Sequence, residues 1–135
     1  MMEAWMILIS VSLLIILFGM YVMFYKKKRF SARQQTNIRK YWKEVEVLEK
    51  HNPEQAILRA DKLLDHALEI AGYKGTLGQK LKDARYIFSS NNEIWNAHKI
   101  RNKIAHDIHF RPSMVQIKAS LKGFRRAFND LGVKL

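Results

Sequence analysis

The chain has 135 residues, a formal charge of +12 and no cysteine. Without cysteine there are no disulfides, no thiol catalysis and no cysteine-based zinc site. One apolar segment aside, about a hundred residues remain, enough for one domain with a modest core.

Residues 4–25 read A-W-M-I-L-I-S-V-S-L-L-I-I-L-F-G-M-Y-V-M-F-Y and carry no charge. At ~1.5 Å per residue such a helix crosses a ~30 Å hydrocarbon layer. Trp5 stands near one end and Tyr21 and Tyr25 near the other, the places where aromatic side chains meet the headgroups. A signal peptide would carry its positive charges before the apolar run and end at a small-residue cleavage site. Here Glu3 precedes the run and Lys26-Lys27-Lys28-Arg29 follows it. The positive-inside rule then puts the C-terminal side in the cytoplasm. The expectation is a single-pass anchor in the lipid bilayer, N-terminus outside.

The next stretch is a basic collar. Residues 26–43 hold Lys26, Lys27, Lys28, Arg29, Arg33, Arg39, Lys40 and Lys43 and no acid. Lys26, Lys27, Lys28 and Arg29 are the candidates for contact with lipid headgroups or RNA, and their place beside the bilayer favours lipid. Beyond the collar the chain is only mildly basic. The organisation expected is a membrane helix at 4–25, a juxtamembrane collar at 26–37 and a helical domain at 38–135.

A first helix is expected over 31–50. Ser31 and Gln34 form a capping-box pattern, and Ile38, Tyr41, Trp42, Val45 and Leu48 an apolar stripe. Asn52-Pro53 opens a second helix, with Asn52 as N-cap, Pro53 at the first helical position and Gln55 completing the box. It should run to about residue 71 and stop at Gly72. Ile57, Ala60, Leu64, Ala67, Leu68 and Ala71 make its buried face, with Asp61 at the border and Asp65 one turn on.

Gly72, Gly75 and Gly78 crowd the following connection, but the order of a phosphate-binding G-x-x-x-x-G-K-[ST] loop is absent and no strand precedes it. Thr76 with Gln79 caps a third helix, over about 77–88, burying Leu81, Ala84 and Phe88 or Ile87. Ser89-Ser90-Asn91-Asn92 closes it and caps the next.

Residues 93–107, E-I-W-N-A-H-K-I-R-N-K-I-A-H-D, organise the rest. On a wheel at ~100° per residue, Ile94, Ala97, Ile104, Ala105 and Ile108 share a side that should face a core. Arg101 lies in the middle of that side, where a charge without a partner is costly. Asp61 is its candidate counter-ion. Trp95, Asn102 and His106 run along one flank, and Asn102 and His106 are neighbours at i and i+4. Ser113 and Gln116 then cap a last helix over about 114–131, carrying Ile117, Leu121, Phe124, Phe128 and Leu131 on one face and ended by Gly132. Lys118, Lys122, Arg125 and Arg126 fall off that face. With no period-2 alternation, the expected fold is all-α: one transmembrane helix, then an antiparallel bundle of four to five helices.

For chemistry, no metal or cofactor is expected. His106, Asp107 and His109 lack a second ligand pair, and neither H-E-x-x-H nor G-x-S-x-G occurs. Arg101, Asn102 and His106 are the set that remains, as R-N-K-I-A-H. The Arg fork suits a phosphate, the imidazole suits proton transfer near neutral pH, and the amide can orient either. Metal-free RNA cleavage needs those three roles.

R-N-K-I-A-H resembles the R-polar-x3-H signature of the HEPN superfamily (higher eukaryotes and prokaryotes nucleotide-binding domains). The A-D-K-L-L-D-H-A-L, G-Y-K-G, W-N-A-H-K-I-R-N-K-I-A-H and F-R-R-A-F-N-D-L-G segments resemble small bacterial members with an N-terminal membrane anchor. The likeness covers residues 38–132. It implies a helical bundle that forms a homodimer, with Arg101 and His106 in catalytic roles and Asn102 at the polar position of a metal-independent endoribonuclease. The alternative is a non-catalytic, membrane-tethered module of the same fold that binds RNA, a nucleotide or a protein partner. In the first reading Arg101 and His106 share an open basic cleft. In the second, Arg101 is sealed against Asp61 and His106 points to bulk water.

Overall fold

The structure, a computed structural model, describes the backbone of residues 2–25 and 30–135 and the side chains of residues 4–22 and 30–135. The described residues form six helices and no strand: α1 (Met2–Tyr25), α2 (Ala32–His51), α3 (Pro53–Ile70), α4 (Leu77–Asp83), α5 (Asn91–His106) and α6 (Met114–Asp130). The fold is all-helical, as the patterning predicts.

α1 stands apart from the rest in character. Its stretch Ala4–Val22 is long and apolar enough to cross a membrane, and none of it is buried in the bundle. Its two hydroxyls are satisfied within the helix. Ser10 Oγ donates to the Ile7 carbonyl at 2.9 Å and Ser12 Oγ to the Leu8 carbonyl at 2.8 Å. An apolar solvent therefore meets no unpaired polar group on this stretch from either serine.

The bundle is assembled on α3, which packs against α2, α4, α5 and α6. Each turn has a local cause. Ser31 and Gln34 make the reciprocal capping box that starts α2, and Ser113 and Gln116 do the same for α6. Asn52 both ends α2 and caps α3, its side chain accepting from the Gln55 amide at 3.2 Å, with Pro53 directly after it. This single-residue joint turns α3 back along α2. α3 and α6 end alike. Gly72 (φ 101°) and Gly132 (φ 90°) take the left-handed conformation. The amides of Tyr73 and Val133 then bond back to Leu68 and Phe128.

The core is filled by Ile38, Trp42 and Val45 from α2, Ile57, Leu64 and Leu68 from α3, and Phe124 and Phe128 from α6. Each aliphatic or phenylalanine side chain among them is worth ~1.5–3 kcal/mol buried rather than exposed. Trp42 meets Phe128 edge-on at 5.6 Å, tying α2 to α6. Tyr41, counted in the predicted apolar stripe, is instead exposed. It sits a step round from Trp42, outside the arc that α3 and α6 cover. Gly123 lets α6 approach α5 closely, since a Cβ there would lie 2.9 Å from the Glu93 carbonyl oxygen.

Two predicted elements end earlier than expected. The third helix stops at Asp83 instead of continuing to about residue 88. The chain tightens into turns there, Asn91 Nδ2 donating to the Arg85 carbonyl that the break leaves open. This brings Phe88 into the core. The core side of α5 is also shorter than its periodicity suggests. Ile94 and Ala97 are buried, Ile104 is half-buried, Ala105 is exposed, and Ile108, past the helix end, is 80% exposed. α5 outruns the bundle, so in its last turn only Ile104 still reaches the core.

Candidate functional site

The site grows from one buried acid. Asp61 follows Ala60 on α3 and turns its carboxylate toward α5, where it is only 3% exposed. A carboxylate so placed needs charge or hydrogen-bond partners. α5 supplies them from two residues three apart, which share one helix face. His98 Nδ1 lies 2.8 Å from Asp61 Oδ1, and Arg101 Nε lies 3.1 Å from Oδ2. The second contact is ionic, because its angle falls outside hydrogen-bond geometry.

Asn102 closes the network. Arg101 Nη1 donates to Asn102 Oδ1 at 2.9 Å, and Asn102 Nδ2 stands 3.3 Å from His98 Nε2. The chemistry fixes every orientation in turn. A guanidinium only donates, so Asn102 must present its oxygen to Arg101 and its NH2 to His98. His98 Nε2 therefore accepts, its proton is on Nδ1, and that proton goes to Asp61. Asp61, His98, Asn102 and Arg101 form a closed ring that clamps α3 to α5.

The ring borders an open cleft of about 1010 Å³ between α3, α5 and the start of α4. Gln55, Arg59, Lys62, Thr76, Arg101 and Asn102 line it together with Asp61 and Asp65. Both acids are already engaged. Asp65 accepts from Lys80 Nζ at 2.9 Å, and the same ammonium reaches the Asp65 carbonyl at 3.3 Å. The Lys80 side chain is 5% exposed, so this pair is nearly dry on one side and fastens α4 to α3. Lys62 has no ion-pair partner among the described residues, and Arg59 is held only loosely, 3.8 Å from Glu44. With its acids neutralised, the cleft presents positive charge.

The predicted residues are thus distributed as follows. Arg101 and Asn102 lie together in the cleft wall, with the Arg101 side chain 34% exposed, and Asp61 is the acid against Arg101. His106, the last residue of α5, is exposed and is not part of the lining. Among the described residues it has no hydrogen bond or ion pair. Lys26, Lys27, Lys28 and Arg29 lie outside the described residues, and no cluster capable of holding a metal occurs among the described ones. Gln55, Arg59 and Lys62 were legible as a polar stripe at i, i+4 and i+7 beside the buried face of α3. Lys80 was legible too, since it shares the i, i+3, i+4, i+7 face of Leu77, Leu81 and Ala84.

Near the mouth of α4, burial, and secondly the Asp83 carboxylate, push the Tyr73 phenol above its ordinary value. Comparison with family models, with curated proteins and with solved structures finds no match to this chain.

Proposed function

We propose that this chain is a membrane-anchored binding module, not a nuclease. α1 is its single-pass anchor, the bundle is held on the cytoplasmic side, and the α3–α5 cleft takes RNA. The observation that carries the reading is the engagement of Arg101 by buried Asp61 inside a closed ring, with His106 outside the cleft. A guanidinium already paired with a carboxylate has less positive charge left to stabilise a phosphorane. The cleft is nevertheless suited to a phosphodiester backbone. Arg59 and Lys62 supply charge, and Gln55, Thr76 and Asn102 offer neutral donors to phosphate or sugar oxygens.

A metal-independent endoribonuclease is the second reading. It is favoured by the partial exposure of Arg101 and by the R-N-K-I-A-H resemblance. It requires a homodimer in which His106 of one subunit reaches the cleft of the other. Full-length chain in detergent, incubated with fluorescent single-stranded RNA and a chelator, separates the two. The binding reading predicts intact RNA with wild type and with His106→Ala, and a salt-sensitive anisotropy rise that Lys62→Glu lowers. Chelator-resistant cleavage lost in His106→Ala would establish the nuclease instead. Absence of any RNA binding would end the RNA assignment.

A further inference from the structure

α2 has an outward strip that the RNA cleft does not use. Arg33, Thr36, Lys40, Lys43, Val47 and Lys50 are all exposed and fall within about 100° of arc on the helix wheel. Four of the six are cationic, and none of those four has an ion-pair partner among the described residues. Of the three acids of the helix, Glu44 borders the strip and the other two are turned aside. Glu44 faces Arg59, Glu46 holds Arg125 at 2.6 Å, and Glu49 lies on the inward flank. The strip therefore runs the length of a 20-residue helix with one acid at its border, Glu44 beside Lys43 and Val47, and Arg59 shares that acid at 3.8 Å.

Its position gives this charge a partner. α1 ends at Tyr25 and α2 begins at Ala32. The intervening residues reach ~20 Å at full extension, so the first turn of α2 stays close to whatever surface α1 emerges from. A cationic helix face held there meets the headgroups at high effective concentration. The Lys43 and Lys50 stems lying beside Val47 can follow the interface with their charges in the headgroup layer.

We propose that the outer face of α2 docks the bundle on an anionic membrane surface, laying α2 along the bilayer and leaving the α3–α5 cleft open. The proposal rests on α1 being a membrane anchor, and the test separates the two. The chain has no cysteine, so single cysteines report cleanly. Full-length Thr36→Cys and, as control, Asn96→Cys on the exposed side of α5 are reconstituted in vesicles. Their reaction with a water-soluble maleimide is timed.

In phosphatidylcholine vesicles containing ~30% phosphatidylserine, Thr36→Cys should react about tenfold more slowly than in phosphatidylcholine alone. Raising salt to ~0.5 M, or adding Lys40→Glu with Lys43→Glu, should restore the rate, and Asn96→Cys should be unaffected throughout. Equal rates for Thr36→Cys in the two lipids would overturn the proposal. So would protection that appears only when RNA is added, which would assign the strip to nucleic acid. Failure of the chain to float with neutral vesicles would remove the anchor itself, and the docking proposal with it.

Discussion

The two ends of α5 are built differently from one continuous pattern. At the N-terminal end Ile94 and Ala97 are sealed in the core, and α6 approaches so closely at Gly123 that only a hydrogen fits. At the C-terminal end the same face carries His98 and Arg101 into an ion-paired ring, and Ala105 and Ile108 meet solvent. The apolar end holds by burial and the polar end by satisfying one carboxylate. A helix wheel shows which side looks inward, but not how far along the axis the core extends.

Substitutions at the two ends should expose this difference, and each is read by urea unfolding of the full chain in detergent. Ile94→Ala, at 1% exposure, should cost about 3 kcal/mol through lost burial and a cavity. Asp61→Ala should cost about 2–3 kcal/mol. It leaves Arg101 and His98 facing a space with no acceptor, though the partial exposure of Arg101 lets water take up part of the loss. Gly123→Ala should cost about 1–2 kcal/mol, because the clash with the Glu93 carbonyl exceeds the gain in helix propensity. Ile108→Ala and His106→Ala should each stay within about 0.5 kcal/mol. A loss at Ile108 comparable to that at Ile94 would mean that the end of α5 is covered in the working protein.

The smallest effect is on pH dependence. Tyr73 has its phenol pushed up in the folded state, chiefly by burial. The neutral form is thus favoured by folding. The associated stability is fully present below the ordinary tyrosine value of about 10 and is lost as pH rises through the higher folded value. Tyr73→Phe should flatten the alkaline decline in melting temperature and leave neutral pH nearly unchanged. An unaltered decline would show that another group sets it.

Much of the bundle was legible because its causes are local. Ser31 with Gln34, Asn52-Pro53, Ser113 with Gln116, Gly72 and Gly132 set helix limits through contacts spanning three to six residues. The long-range choices were less visible. Tyr41 and Trp42 are adjacent and similar, and only the placement of α3 and α6 decides that one is covered. The break after Asp83 depends on Asn91 and on room for Phe88. At the site, periodicity brought Arg101 and Asp61 to the same interior, but the role of His98 needed the relative height of α3 and α5. Lys80 shares the helical face of Leu77, Leu81 and Ala84, but its pairing with Asp65 depends on how α4 sits against α3.

If Arg101 serves the α3–α5 clamp, its contribution to stability must be coupled to that of Asp61. A double-mutant cycle on Asp61→Ala and Arg101→Ala tests it most directly, with unfolding of the full chain in detergent followed by the fluorescence of the bundle tryptophans Trp42 and Trp95. Each single variant should be destabilised, and the double variant should lose less than their sum, by about 1 kcal/mol or more. Strict additivity, with Arg101→Ala as stable as wild type, would contradict the clamp role and return the guanidinium to the open cleft.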